Sequence, residues 1–209
     1  TGGTDYPIAA YRLVVPKPNI TGVTLGVTGT ASSATAIPSS VAYVLTYVSS
    51  QGEESAPSEA TSVVDFTYGQ TVTLSNLPVG AFASPYNTWS NVDVATKRIY
   101  RSNAGSRGTD YQFVAEIPLA QASYSDQAAA EQLQETVQTW GWEPAPADMV
   151  GLKLMANGIG MGFKGNTIYP SEPFVLYAYP VAYRIATEYP IVGLGAFVAY
   201  KIAFREDKK

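Results

Sequence analysis

Carboxylates are the side chains in this sequence best suited to acid–base catalysis or to binding of a hard metal ion. The chain contains no histidine and no cysteine. Without histidine, a Ser-His-Asp triad and an imidazole metal site are both excluded. Without cysteine, a disulfide framework and a thiolate metal site are excluded as well. The candidates considered for chemistry are therefore among the 17 acidic residues.

Four of these acids lie close together in the sequence, at Glu53, Glu54, Glu59 and Asp65. Their spacing differs from the D-x-D-x-D-G order that supplies the oxygen ligands of a calcium loop. Glu53 and Glu54 directly follow Gly52 in a predicted turn, where acidic side chains face water. We therefore expect no metal site and no cofactor.

Three further acids, Asp110, Glu116 and Asp126, lie along a predicted hairpin and the segment that follows it. Two converging carboxylates would suit glycoside hydrolysis, but no feature of the sequence brings these three side chains together. A glycan-degrading accessory enzyme that uses Asp or Glu alone stays open as a third hypothesis. Our main interpretation is that the protein is not an enzyme.

The glycines of "NGIGMGFKGN" give this segment a superficial likeness to a phosphate-binding loop. Gly158, Gly160 and Gly162 are spaced by two residues, whereas a dinucleotide fingerprint needs G-x-G-x-x-G between a strand and a helix. The residues that follow are typical of a strand. The pattern therefore indicates glycines of β-hairpin turns.

Aromatic side chains crowd the region after residue 139. Three interpretations stay open for them: a platform for stacking sugars, a protein–protein interface, in which Tyr and Trp are enriched, or a small aromatic core. A region this short cannot easily bury so many rings by itself. We predict that the interface residues are Trp140, Trp142, Phe174, Tyr177, Tyr179 and Tyr183.

The charge balance argues against two classes of partner. Charged residues make up only 14% of the chain, and the net charge is −4. The basic stretches do not exceed "TKR" and the terminal "REDKK", so sequence-specific binding of nucleic acid is disfavoured. The longest apolar run, residues 189–204, contains Pro190 and Lys201 and is too short for a membrane span. We expect no membrane span.

The alternation of "VAYVLTYVS" is the clearest structural signal in the sequence. Val41, Tyr43, Leu45 and Tyr47 fall on one face of a strand, as the period of two requires. The Gly52 turn and the Pro-containing segment after it should end the strand and protect its edge. Short predicted strands then recur between turn signals, at the spacing of an immunoglobulin or fibronectin type III sandwich. The predicted fold class is therefore all-β.

Four segments follow from these patterns. Residues 1–38 form an extended N-terminal segment and a first strand, and residues 39–127 form the β-sandwich. Residues 128–149 form a linker or a short helix. Residues 150–209 form a second β-rich module, whose rhythm of glycine and aromatic residues is typical of a propeller blade.

Several stretches resemble a known family in their order along the chain. These are "YRLVVPKP", "YVLTYVSSQGEESAPSEATSVV", "GQTVTLSNLP", "KRIYRSNAGSRGTDYQFVAEIP" and "SYSDQ". They are similar to the fibronectin-III-like module of bacteriophage tail and virion structural proteins. The segment after Trp142 resembles the one that leads towards a propeller-like domain in tail nozzle or tubular tail proteins of short-tailed phages.

The resemblance implies a structural role without catalysis. The expected protein is a homo-oligomeric component of the phage tail in the virion, assembled into a ring or tube, with a sixfold ring as one such assembly. Its expected partners are copies of itself and other tail, portal or adaptor proteins. The alternative is a secreted or surface module for adhesion or carbohydrate binding, in which the aromatic rings stack on sugars.

Overall fold

The computed structural model describes residues 15–35, 37–80, 94–105 and 108–195. Residues 1–14 and 196–209 of the predicted terminal segments lie outside the described residues. The strands are β1 (Thr24–Thr28), β2 (Ser39–Val41), β3 (Tyr43–Ser49), β4 (Val64–Phe66), β5 (Thr71–Ser75), β6 (Val94–Gly105), β7 (Gly108–Pro118), β8 (Tyr124–Asp126), β9 (Trp142–Glu143), β10 (Val150–Leu154), β11 (Gly160–Lys164), β12 (Thr167–Pro170), β13 (Tyr179–Pro180) and β14 (Ile185–Ala186). Helix within these residues is limited to short 3₁₀ turns, so the all-β prediction is confirmed.

Two antiparallel sheets form the sandwich, one in the order β1-β5-β8 and the other in the order β3-β6-β7. Strands β2 and β4 form a separate short ladder. Apolar side chains from both sheets are buried together, and the largest of them include Leu45, Val72, Leu74 and Ile99. Burial of this apolar area is the main favourable contribution to folding of the sandwich.

Strand β3 is buried along its whole length. Tyr43 and Leu45 face the core, as the alternation predicts, while Tyr47 joins a second cluster with Val15 and Val94. The other face of β3 is also covered. On this face, the Thr46 hydroxyl donates a hydrogen bond at 2.6 Å to the carboxylate of Glu54, which follows β3 in the chain.

The outer edge of β3 is closed by residues 55–61, which run beside it with a period of three. Each contacting residue donates its backbone N–H to a β3 carbonyl and accepts the N–H of the same β3 residue with its hydroxyl oxygen, at 2.8–3.0 Å. The pairs are Ser55 with Tyr47, Ser58 with Leu45, and Thr61 with Tyr43. An unpaired strand edge is a template for association, and here the chain itself occupies it.

The outer edge of β7 is also occupied, by part of the segment for which the sequence suggested a linker or a short helix. A 3₁₀ turn at Ala130–Gln132 is followed by residues 134–137, which pair with β7. The Gln134 N–H donates to the Phe113 carbonyl at 3.1 Å, and the Val137 N–H donates to the Tyr111 carbonyl at 2.9 Å. This segment is therefore part of the sandwich.

The C-terminal module contains a four-stranded antiparallel sheet in the order β10-β11-β12-β14, and a short β9–β13 ladder. Gly158 lies in the turn before β11 with a φ of +79°, and Gly160 and Gly162 lie in β11. The prediction of turn glycines therefore holds for Gly158, whereas Gly160 and Gly162 lie within a strand. Within the described residues there is no propeller and no closed barrel.

A buried ion pair joins the two sheets of the sandwich. Arg101 of β6 donates to Asp126 of β8 at 2.7 Å, and the two side chains are 2% and 0% exposed. The Tyr43 hydroxyl donates to the same carboxylate oxygen at 2.8 Å, and the guanidinium lies 5.3 Å from the centre of the Phe66 ring. Burial, and then the neighbouring carboxylate, raise the pKa of Tyr43 far above its usual value.

We predict that Arg101→Met lowers the free energy of unfolding by about 3–5 kcal/mol, because it leaves the Asp126 carboxylate buried without its cation. Adding Asp126→Leu removes the buried anion, so the double variant should be more stable than Arg101→Met alone. Urea denaturation of the wild type, the two single variants and the double variant measures this coupling. Losses that simply add in the double variant would contradict it.

We also predict that the triple variant Ser55→Ala, Ser58→Ala and Thr61→Val opens the edge of β3. Three backbone N–H groups would lose their acceptors, at about 1–3 kcal/mol each. Hydrogen exchange at these three amides should accelerate, and the protein should aggregate more readily. Ser62→Ala is the matched control, because the Ser62 side chain is exposed. Unchanged amide protection in the triple variant would rule out this role.

Candidate assembly interface

Three of the predicted interface residues make contacts within the molecule: Trp142 and Tyr177 are half-buried and Tyr179 is buried. The edge of the Trp142 ring packs against the Tyr177 ring, with centres 6.1 Å apart and planes 72° apart. Tyr177 packs in turn on the cluster that contains Tyr47 and Val94 of the sandwich. Tyr179 is fully buried, and burial raises its pKa to about 12. Tyr177 therefore connects this part of the chain to the sandwich, with Trp142 packed on it. The prediction that these residues contact a partner stays a prediction, although the buried Tyr179 ring leaves no surface for one.

The β9–β13 ladder explains why these rings point inward. It places Trp142 opposite Pro180, and Gly141 precedes it with a φ of +79° that suits glycine. The Val181 N–H donates to the Gly141 carbonyl at 3.2 Å and closes the ladder. Burial raises the pKa of Tyr177, against a smaller opposing effect of its hydrogen bond with the Glu54 backbone.

The other three predicted residues, Trp140, Phe174 and Tyr183, are exposed. Trp140 is 59% exposed and stacks on Tyr111 with ring centres 5.6 Å apart and planes 11° apart. Tyr183 is 43% exposed, and its hydrogen bond to the Glu172 carboxylate raises its pKa. These side chains are available to a partner in the way that the sequence predicted.

Phe174 combines exposure with an unusual backbone. Its side chain is 82% exposed and its φ is +62°, a left-handed conformation that costs a bulky residue energy. The Phe174 N–H donates to the Gly158 carbonyl at 2.9 Å, and the ring covers Gly158 so closely that a Cβ there would overlap it. The module therefore exposes a large apolar ring to water, and one side of this ring packs on Gly158.

Further exposed apolar side chains on the same module were missed by sequence reasoning. Together with Phe174 and Tyr183 they make up what we call the C-terminal apolar surface, a set of exposed apolar residues distributed over both faces of this module: Val150, Leu152, Leu154, Phe174, Val181, Tyr183, Ile185, Tyr189 and Val192. Every residue of β10 is exposed. The alternation in "VGLKL" is a signal for a strand with one buried face, but it does not tell whether that face meets this chain or another one.

The carboxylates considered for catalysis or metal binding are engaged elsewhere. Arg98 donates to Glu54 at 2.6 Å and to Glu116 at 2.8 Å, while Asp126 holds Arg101. Within the described ranges there is no group of three or more acids that could hold a metal ion. An open groove of about 350 Å³ near Asn19 contains one acid, Glu59, and this residue is paired with Lys17.

Lys97 of β6 is a buried cation whose partners are backbone groups. It is fully buried, and its ammonium donates to the carbonyls of Pro78 and Gln121. Burial lowers its pKa to about 8. Both of its acceptors are backbone groups of the loops that it ties together, so its contacts indicate a structural role.

Comparison with protein-family models gives no match to the chain, and comparison with curated proteins also gives none. In the described part of the chain, no helix has the length and apolar character that crossing a membrane requires. The site is therefore interpreted from its own geometry, as an exposed apolar surface on a module that is fixed to a β-sandwich.

Tyr179 and Tyr183 provide a matched test of which aromatic residues are internal. We predict that Tyr179→Ala lowers the free energy of unfolding by about 3–5 kcal/mol, as loss of a buried aromatic ring does. Tyr183→Ala should cost less than about 1 kcal/mol, because exposed side chains contribute little to stability. Urea denaturation measures both, and equal losses would show that the two rings are not differently buried in solution.

Proposed function

We propose that the protein is a structural component of a bacteriophage virion, a tail protein of the nozzle or tubular type that assembles with copies of itself into a ring or tube. The observation that carries this proposal is the C-terminal apolar surface. Nine exposed apolar side chains within residues 150–192 are more than scattered surface residues would give, and exposed apolar surface of this kind is typical of sites of protein–protein interaction. The proposed location, in the tail of the virion, is based on the sequence resemblance.

The contrast between the two modules supports self-assembly through the C-terminal one. In the sandwich, residues 55–61 and 134–137 of the chain itself pair with the outer strands of the sheet β3-β6-β7. Closed edges prevent unspecific pairing of strands. The C-terminal module instead leaves a whole strand, β10, exposed. Association through this module would leave the sandwich free on the outside of an assembly.

A fixed angle between the modules also suits an architectural role. Tyr177 enters the apolar cluster of the sandwich, and Trp140 stacks on Tyr111 of β7. These contacts hold the sandwich against the C-terminal module by packing. A ring built from the C-terminal modules would thus present its sandwiches in one orientation, to other tail, portal or adaptor proteins.

One observation favours the alternative of a module for carbohydrate binding or adhesion. The Trp140 ring is stacked on Tyr111 on one side and is still 59% exposed. A flat ring held in place in this way can pack against the C–H groups of a sugar. Its neighbour Trp142 is less suitable, because its ring packs on Tyr177 inside the protein.

The assembly state of the purified chain tests the proposal. We predict particles of several copies in multi-angle light scattering, with rings or tubes in negative-stain electron microscopy. Leu154→Glu, which adds a charge to the C-terminal apolar surface, should reduce their mass towards that of the monomer. Val63→Glu is the matched control, since Val63 is 67% exposed but belongs to the sandwich.

A strictly monomeric wild-type protein at the highest attainable concentration would contradict the proposal. Binding to a glycan array that Trp140→Ala abolishes would favour the carbohydrate-binding alternative. Immunogold labelling of purified virions tests the location: label on the tail is the expected result.

A further inference from the structure

The four-stranded sheet of the C-terminal module has two open edges within the described residues. Strands β10 and β14 each pair with one neighbour, β11 and β12 respectively. All pairs in the sheet are antiparallel. Because the sheet has four strands, β10 and β14 run in opposite directions. A second copy in the same orientation would therefore bring its β10 antiparallel to β14 of the first.

The pairing register places matching side chains at the two edges. Val150 pairs with Phe163, Phe163 pairs with Ile168, and Ile168 pairs with Ile185. This apolar row crosses the whole sheet and ends at Val150 on one edge and Ile185 on the other. These end residues are 54% and 50% exposed. A neighbouring copy at the same level would continue the row.

We propose that strand β14 of one copy pairs with strand β10 of the next copy, so that the sheets of successive copies join edge to edge. The occupant of each open edge is a second copy of this chain. This inference rests on the proposed self-assembly and names its contact. The two joined surfaces differ from each other, so the interface is heterologous and generates a ring or a helical tube.

The charges of Lys153 and Glu172 are opposite, and this arrangement brings them to the same end of the joined edges. Lys153 pairs with Met161, two positions along β11 from Phe163, so it lies two levels away from Val150. Tyr183 lies two residues before Ile185, and its hydroxyl is bonded to the Glu172 carboxylate. With Ile185 opposite Val150, Lys153 of the next copy lies at the level of Tyr183 and its partner Glu172, just beyond the end of β14. Arg184 of the same edge directs its guanidinium over the Tyr169 ring instead. Lys153 forms no ion pair with any residue of the described ranges.

The same cation disfavours the symmetric alternative. If β10 paired with β10 of a second copy, the two Lys153 side chains would lie at neighbouring positions on the facing edges. Like charges that face each other across strands are destabilising. Such a pair would also close as a dimer and leave both β14 edges unused.

The absence of cysteine from the chain permits a direct test by disulfide crosslinking. Val150→Cys and Ile185→Cys are made as separate variants, mixed in equal amounts and oxidised with copper phenanthroline. We expect a covalent dimer in the mixture and none from either variant alone, because each disulfide needs one cysteine from each edge. The variant that carries both substitutions should give a ladder of covalently joined copies.

An intramolecular disulfide does not complicate the result. Val150 and Ile185 are separated by two intervening strands, which places them about 14 Å apart, beyond the roughly 7 Å limit between Cα atoms for a disulfide. A mixture of Val63→Cys and Val150→Cys is the control for random collisions, because Val63 is more exposed than Ile185 but lies on the sandwich. It should give no dimer above background.

Each other outcome overturns the inference in a recognisable way. A covalent dimer from Val150→Cys alone would show β10 paired with β10. An assembled wild type whose mixed variants give no crosslink would place the contact elsewhere, and the proposed function would stand. A monomeric wild type without crosslinks would remove the proposed function together with this contact.

Discussion

The ion pair between Arg101 and Asp126 is the interaction on which the arrangement of the sandwich depends. It joins β6 of one sheet to β8 of the other, and the Tyr43 hydroxyl shares the carboxylate. Removing two charges from water is costly, and their attraction compensates only with good geometry and further hydrogen bonds. An apolar core alone would tolerate small shifts between the sheets, whereas this buried pair is satisfied in one register. The pair therefore contributes specificity of packing more than stability.

Once the sheets are fixed, control of the strand edges decides what the molecule can do. Ser55, Ser58 and Thr61 close the edge of β3 with their backbone N–H groups and with their hydroxyl oxygens. In a regular strand the side chains point out of the sheet, so they could not accept the N–H groups of the neighbouring strand. Contacts at every third residue are typical of an extended segment of the polyproline type. Pro57 lies between two contacting residues, at a position whose backbone N–H is not needed for the pairing. Strand β10 of the C-terminal sheet is instead exposed along its whole length, so its edge is open to strand pairing.

Sequence reasoning reached the local structure and missed the long-range contacts. The alternation around Tyr43 and Leu45 identified the central strand, because period and residue type are local properties. The aromatic cluster was found as a group, but Tyr179 is buried and Tyr183, four residues later, is exposed. That difference arises from the β9–β13 ladder, a contact between residues far apart in sequence, which no local pattern contains. Exposure of β10 was missed for the same reason.

The low charge of the chain makes the exposed apolar side chains more significant than they would be elsewhere. Only 14% of the residues are charged, so repulsion between copies is weak and apolar contacts encounter little opposition. Under these conditions, a protein avoids aggregation by restricting contacts to one geometry. Specific assembly requires wrong pairings to be disfavoured as well as the right one to be favourable. The edges of the sheet β3-β6-β7, which the chain itself closes, and exposed rings such as Phe174 on the C-terminal module fulfil these two requirements in different parts of the same molecule.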